Sequence, residues 1–248
     1  MALKRVDAAV LYAVAVEGRE ITAALSAKRF LGRGIAVGRA FGLRVAAVET
    51  GMGKTNAAAA AAAVIHLYRP RLVINMGIAG AYASSGLKRG DVAAAVMEVY
   101  ADEGIAGTND FVGLKEIGIP IYKSGRKDYF NEFPLDEKLT ARALKILGQD
   151  SAAPARPPLA GTFATVSAVS GTPARARQIE LRTGAVCENM EGASVVHVCT
   201  MYSTPALEIR GISNYAGLRD KNGWDIDAAV NNSGRAVIIL LKNMSLIL

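Results

Sequence analysis

Cysteine and histidine are scarce: the 248 residues hold two of each. Cys187 and Cys199 are too few and too badly spaced for a disulfide framework or a zinc site. His66 and His197 stand far apart, without carboxylate-rich company, and each is expected to pack on a helix. The expectation is no metal, no cofactor and a reducing cytoplasm. Aromatic residues make up only 6% of the chain, and its 29 Lys and Arg are scattered rather than interleaved with them. Nucleic acid is therefore not an expected partner, although the net charge is +7. A basic, soluble surface accounts for that charge, and a site that welcomes an anionic substrate is the sharper alternative. Long apolar runs are missing too. No stretch is long and charge-free enough to span a bilayer, and the apolar segment 236–248 is broken by Lys242 and Asn243. Residues 1–16 imitate a short signal peptide, but Asp7 and the immediate Glu17 argue against one, and a buried first strand explains the run better.

Apolar residues are plentiful, at 51%, enough for a substantial core. The chain reads as one domain over 1–248, with no internal repeat and no low-complexity linker. Short β-branched runs predict strands over 7–15, 43–49, 72–76, 91–99, 162–169, 185–188 and 206–213. Helices are predicted over 17–29, 54–68, 136–147, 173–182, 190–202 and 226–244, and residues 102–134 form a long excursion. Strands alternating with helices argue for an α/β fold with a mostly parallel central sheet. Ligands of such sheets sit at the carboxyl ends of strands, so the residues just after each strand carry the information.

Gly51-Met52-Gly53-Lys54-Thr55 is one such place. It imitates a phosphate-binding loop, but the first glycine of that motif would fall at Val48. A tight strand-to-helix turn, started by Thr55 or Asn56, is the plainer reading. Asn75-Met76-Gly77-Ile78-Ala79-Gly80-Ala81 is rich in small residues, which suit either a turn or a close approach of ligand to backbone. Glu188-Asn189-Met190-Glu191-Gly192-Ala193 sets carboxylates where a strand meets a helix. Acidic residues there favour the helix dipole. A functional carboxylate would instead accept hydrogen bonds from two vicinal hydroxyls, as on a ribose, with Met190 as a soft apolar surface beneath the sugar. Arg210-Gly211-Ile212-Ser213-Asn214-Tyr215 brings Asn214 to the sheet's carboxyl edge, as a turn residue or as a ligand.

In this order, and with Ala15-Val16-Glu17 before them, these motifs resemble the nucleoside phosphorylase/nucleosidase superfamily over nearly the whole chain. The resemblance implies a three-layer α/β/α sandwich about a twisted, mostly parallel mixed sheet. It also implies a small-molecule nucleoside substrate and a homodimer or larger homo-oligomer. Two branches are near. Methylthioadenosine/S-adenosylhomocysteine nucleosidases carry Ile-Ser-Asp at the last motif. The futalosine hydrolase branch is similar to Ile212-Ser213-Asn214-Tyr215 followed by Arg219 and Trp224, and to 111–120 and 163–177. The exchange has a chemical meaning. Adenine offers an acceptor, N7, beside a donor, its 6-amino group, whereas a 6-oxopurine offers two acceptors, N7 and O6. A protonated carboxyl donates once and accepts once, but a carboxamide has two N–H donors. Asn214 thus favours hypoxanthine, the base of futalosine.

The resemblance implies Glu17 as the base that activates water, with Glu20 as a rival. It implies Glu191 and Met190 against the ribose, Asn214 at the leaving base, and Ile78, Ala79, Gly80, Asn189 and Ser213 around the substrate. An amide is no Brønsted acid, so the proton for the base falls to water or another group, Asp220 and Asp225 being candidates. Futalosine carries a benzoate-type carboxylate, for which Arg219 is the first candidate partner and Arg175 and Arg177 the next. Hydrolysis is expected over phosphorolysis because Ile78 stands where phosphorylases often carry serine, while Arg19 and Arg44 keep phosphorolysis open. The implied reaction releases hypoxanthine and dehypoxanthine futalosine in menaquinone biosynthesis. The alternatives are a nucleosidase or phosphorylase for inosine or methylthioadenosine, and a non-catalytic nucleoside-binding member of the fold. The stacking phenylalanine of methylthioadenosine nucleosidases has no clear match near Thr172-Pro173-Ala174.

Overall fold

The computed structural model describes residues 5–30, 34–107, 110–125, 127–154 and 156–248. Its layers arise from the alternation of side chains along buried strands. In β1 (Ala8–Tyr12), Ala8, Val10 and Tyr12 enter one apolar cluster and Ala9 and Leu11 another. The first cluster takes Ile21 of α1 (Arg19–Ala24), Leu139 and Ala143 of α4 (Glu137–Gln149), Val237 and Leu240 of α7 (Ile226–Lys242), and Met244 and Ile247 of α8 (Met244–Ile247). The second takes Ala57, Ala61 and Val64 of α2 (Lys54–Tyr68) and Val195 and Cys199 of α6 (Gly192–Met201). Helices on both faces of the sheet make the three-layer α/β/α sandwich.

The central sheet has ten strands. At one side β2 (Ser26–Phe30), β3 (Ile35–Ala40) and β4 (Leu43–Glu49) run antiparallel. Beyond them β4, β1, β5 (Leu72–Ala81) and β14 (Ala206–Tyr215) are linked by parallel ladders. The last residues of β5 pair antiparallel with β13 (Cys187–Asn189), which is parallel to β12 (Leu159–Thr165). β12 is parallel to β6 (Val92–Tyr100), and β6 returns antiparallel to β14. The circuit through β5, β13, β12, β6 and β14 therefore closes on itself. Small residues permit that curvature: Ala79, Ala81, Ala93 and Ala95 share one apolar cluster with Phe163, Cys187 and Ile212.

The excursion folds into two hairpins, β7 (Gly104–Ala106) with β8 (Phe111–Gly113) and β9 (Tyr122–Ser124) with β10 (Lys127–Tyr129). Between them lies α3 (Leu114–Ile117), and β11 (Glu132–Pro134) then joins the outer edge of β6. The remaining helix, α5 (Pro173–Thr183), opens with Thr172 as a cap accepting from Arg175 N.

Two expectations change. The helix predicted over 17–29 stops at Ala24, because the following residues pair with β3, a strand not anticipated from sequence. Strand pairing overrides local helix propensity there. The strand predicted over 72–76 continues to Ala81, so Gly77 marks a close approach inside a strand and not a turn.

Candidate active site

Five strands deliver their carboxyl ends to one place. The segment after β1 supplies Ala13, Val14 and Glu17, and the turn after β4 supplies Met52. The second half of β5 supplies Ile78, Ala79 and Gly80, the β13–α6 junction Glu188 to Glu191, and the end of β14 Ser213 and Asn214. Together with Val169, Arg219 and Trp224 they line a cavity of about 320 Å3. A larger cavity, about 510 Å3, lies under the excursion, but its Glu116, Asp128 and Glu132 are exposed and it holds none of the residues gathered at the strand ends.

Glu17 is 4% exposed and accepts three backbone N–H bonds: Ala13 N (3.0 Å) and Val14 N (3.2 Å) at Oε2, and Ile78 N (2.9 Å) at Oε1. A carboxylate has about four acceptor positions, so one remains for a ligand. Burial raises its pKa above the ordinary glutamate value, and the nearby Arg210 guanidinium and the N–H donors only partly offset this. Gly77 makes the contact with β5 possible, because a Cβ there would fall 2.6 Å from Glu17 Oε1 and 2.7 Å from Arg210 Nη1.

Arg210 lies beneath the lining residues, as a floor that supports Glu191 from below. It is 1% exposed, donates from Nε to Glu208 Oε1 (2.7 Å), and pairs through Nη1 with Glu191 Oε2 (3.3 Å). Both oxygens of Glu208 also accept from Asn75 Nδ2, at 3.1 and 2.8 Å. The other oxygen of Glu191 accepts from Gly53 N at 3.0 Å. Gly51 and Gly53 lie at φ 85° and 93°, backbone open to glycine, and this brings the start of α2 to a protein carboxylate and not to a phosphate. Glu191 precedes α6 without capping it. Asn189 does that work: its Oδ1 accepts from Glu191 N (2.9 Å) and Gly192 N (2.7 Å). Its Nδ2 donates to Glu98 Oε1 at 3.0 Å, and Glu98 Oε2 accepts from Thr165 Oγ1 at 2.7 Å. Burial, with the negative charge of Glu208 beside it, pushes the Glu98 carboxyl well above the usual carboxylate range.

On the opposite wall a bulge between Ile212 and Asn214 shifts the register so that Asn214 stands beside Gly80. Bulges commonly re-aim a side chain in this way. Asn214 Oδ1 accepts from Ser213 Oγ (2.8 Å), and its Nδ2 donates to Tyr215 O (3.0 Å). The amide is thereby oriented with one N–H left for a ligand. At the mouth, the Arg219 guanidinium lies 4.9 Å from the centre of the Trp224 ring.

The family model of the phosphorylase superfamily matches residues 12–244. The chain belongs to this superfamily. It is 37% identical over 194 residues to the futalosine hydrolase of Thermus thermophilus, covering 78% of this chain and 80% of the relative. Among solved structures, the 5'-methylthioadenosine/S-adenosylhomocysteine nucleosidase of Neisseria meningitidis, bound to methylthio-immucillin-A, matches with a TM-score of 0.80 at 22% identity, over 95% of this chain and 98% of that one. The native futalosine hydrolase of Helicobacter pylori matches with a TM-score of 0.78 at 18% identity, over 97% of this chain and 98% of that one. At such identities the two structures speak for the phosphorylase-superfamily fold alone.

Within that fold the residues singled out in sequence separate cleanly. Glu17, Glu191, Asn214, Met190, Ile78, Ala79, Gly80, Asn189, Ser213 and Arg219 all line the cavity. The carboxamide of Asn189 is engaged beneath it, so that residue positions Glu191 through the α6 start. Glu20, Asp220 and Asp225 are not among the lining residues. Glu20 sits beside Arg19; Asp220 accepts from Asn222 N, and Asp225 caps α7 by accepting from Ala228 N. Arg177 pairs with Glu180, and Arg175 lines a different cavity. Arg19 reaches Asp227 and Asn231, and Arg44 stands near the amino end of β4, opposite the site. Sequence reasoning missed Arg210, Glu98 and Glu208. The signal was present as charged residues inside apolar runs predicted to be strands, where an unpaired charge is prohibitive and a partner is therefore implied.

Proposed function

We propose that this chain hydrolyses the N-glycosidic bond of futalosine, releasing hypoxanthine and dehypoxanthine futalosine in menaquinone biosynthesis. The observation that carries the reading is the meeting of Glu17, Glu191 and Asn214 on one cavity, each with hydrogen-bonding capacity left over. Breaking such a bond passes through an oxocarbenium-like transition state. Three tasks follow. Glu17, its carboxyl raised by burial, accepts a proton from the attacking water. Glu191, fixed by Arg210 and Gly53 N, accepts the ribose hydroxyls while Met190 lies against the sugar. One of the two N–H donors expected to serve the base is given to Tyr215 O, so Asn214 presents a single N–H to the N7/O6 edge of the leaving base, stabilising the charge that develops there. With Asp220 and Asp225 away from the lining, the proton that the base needs is supplied by water. Val169, Met52 and Trp224 give the cavity its apolar walls.

Hydrolysis is favoured over phosphorolysis because the arginines first considered for phosphate lie elsewhere, and Arg210 is occupied by Glu208 and Glu191. Arg219 at the mouth is the partner we assign to the substrate carboxylate. Exposed Ile105 (59%) and Ile119 (66%) in the excursion fit a homo-oligomer, and the free, buried Cys187 and Cys199 fit a reducing cytoplasm. The test is to incubate the protein with futalosine, inosine and methylthioadenosine, with and without phosphate, and to follow free base. Phosphate-independent release of hypoxanthine from futalosine is expected. Release that requires phosphate, or none from any substrate, overturns the reading.

A further inference from the structure

One buried carboxylate on the cavity wall has no task in this mechanism. Glu188 is 5% exposed and lines the cavity. It meets three neutral donors: Ser170 N (2.9 Å) at Oε1, and Ser170 Oγ (2.6 Å) and Tyr82 Oη (3.1 Å) at Oε2. Three donors converging on one carboxylate hold it as an acceptor, and they leave about one acceptor position on Oε1 unused. A carboxylate is costly to bury, so an open acceptor position beside a ligand cavity asks for a donor from the ligand.

The strand register says which part of the ligand that is. Gly80 of β5 is the Cα partner of Asn214 on one side and of Glu188 on the other. Paired residues on adjacent strands project to the same face, so the amide and the carboxylate flank the space above Gly80. Their backbones are two strand spacings apart, roughly 10 Å. A Cβ on Gly80 would come within 3.3 Å of Asn214 Nδ2, so the glycine keeps this space clear. A donor and an acceptor thus face each other across a slot suited to the edge of a planar base.

We propose that Glu188 is the residue that selects 6-oxopurine nucleosides, by accepting the N1–H of the base while Asn214 donates its free N–H to the O6/N7 edge. The inference rests on the hydrolysis reading above and adds its specificity determinant. A 6-oxopurine carries a proton on N1 and acceptors at O6 and N7. Adenine reverses the pattern at N1, which is an acceptor, and at position 6, which is a donor. Against Glu188 and Asn214, adenine would set two acceptors together at one end and two donors at the other. Sites built to pair a polar group reject the mismatched analogue strongly, by factors of about 10^4 in favourable cases.

The experiment compares futalosine with its 6-amino analogue on the wild type and on Glu188→Gln, and measures inhibition by hypoxanthine, 1-methylhypoxanthine and adenine. The wild type prefers futalosine by at least about 100-fold in kcat/KM. Glutamine can turn its N–H toward an N1 acceptor, so in Glu188→Gln that preference falls at least about 10-fold, largely through better use of the amino substrate. Tyr82→Phe removes one partner of the carboxylate and keeps its acceptor, and its preference stays within about two-fold of wild type. A merely structural role for Glu188 would instead lower both substrates together in Glu188→Gln and in Tyr82→Phe, which overturns the proposal. Should Glu188→Gln not fold, the wild type still decides. Binding of 1-methylhypoxanthine, which has no N1–H, as tight as hypoxanthine overturns the proposal, and a loss of about 10-fold or more supports it. A wild type that cleaves futalosine while Glu188→Gln keeps its preference defeats this inference alone. A wild type that cleaves only adenine nucleosides defeats the hydrolysis reading with it.

Discussion

At the floor of the cavity Arg210 is 1% exposed and bonded to Glu208, Glu191 and Asn189, whereas at its mouth Arg219 is exposed and lies over the Trp224 ring. Both are arginines within one short stretch of chain, yet their surroundings give them opposite work. A buried guanidinium among carboxylates cannot be spared, because each partner would be left as an uncompensated charge. An exposed one is screened by water and salt, and its value lies in meeting a charge the substrate brings. The floor fixes chemistry, and the mouth chooses among ligands. If that division is right, substitutions at the floor should be felt by the whole molecule and substitutions at the mouth by one class of substrate.

The largest effect is expected from Arg210→Met. It strips Glu208 and Glu191 of their cation, and losing one partner of a buried ion pair costs about 3–5 kcal/mol. A lowered denaturant midpoint, with activity lost in whatever folds, is the outcome that equilibrium unfolding should record. A midpoint unchanged from wild type would mean that the network carries little of the fold's stability.

Glu17 separates the two halves of the comparison further, since it sits at the floor but is held by backbone N–H groups rather than by an ion pair. Glu17→Gln should fold at a modest cost in stability, because relief of a buried charge is offset where the new amide N–H2 must face a backbone N–H that a carboxylate oxygen now serves. Its kcat should fall by about 10^2 to 10^4, the usual worth of a positioned base. The base must be unprotonated to act, and burial raises its pKa. In the wild type kcat/KM should therefore fall, as pH is lowered, at a pH above the ordinary glutamate value of about 4.3, and stay level above it. A pH–rate profile whose acid limb lies at or below that value would assign the base role elsewhere.

How much of this was legible beforehand follows the same division. The strand β4 and the helix α2 have the bounds predicted from the sequence, 43–49 and 54–68, because local pattern and tertiary placement agree there. Cavity residues such as Glu17, Met190 and Asn214 were legible because they stand at or just after the carboxyl ends of strands, where a doubly covered sheet exposes its ligand edge. The floor was not. Arg210, Glu208 and Glu98 lie in β14 and β6, strands far apart in sequence that pair only after the sheet has curled on itself. No local period announces that closure, and β3 was missed for the same reason, its partners being decided by pairing and not by propensity. Asp220 and Asp225 were misjudged because an acidic residue near a site and an acidic residue that caps a turn look alike until the cap is seen.

The smallest effect, and the sharpest probe of the mouth, is Arg219→Met. Under our reading the guanidinium meets the carboxylate of futalosine only, and methionine preserves much of the packing on Trp224. KM for futalosine should rise about 10-fold with kcat nearly unchanged, the signature of uniform binding lost. Inosine, which lacks that carboxylate, should show the same KM with either protein. Raising the salt concentration should weaken futalosine binding in the wild type and leave the variant almost indifferent, because an exposed ion pair is screened. Arg219→Lys should recover part of the loss but not all, since an ammonium keeps the charge and loses the planar fork that matches a carboxylate. Steady-state kinetics on the two substrates at two ionic strengths reads all of this. A fall in kcat for both substrates would place Arg219 within the catalytic machinery, and the boundary drawn between floor and mouth would have to move outward to include it.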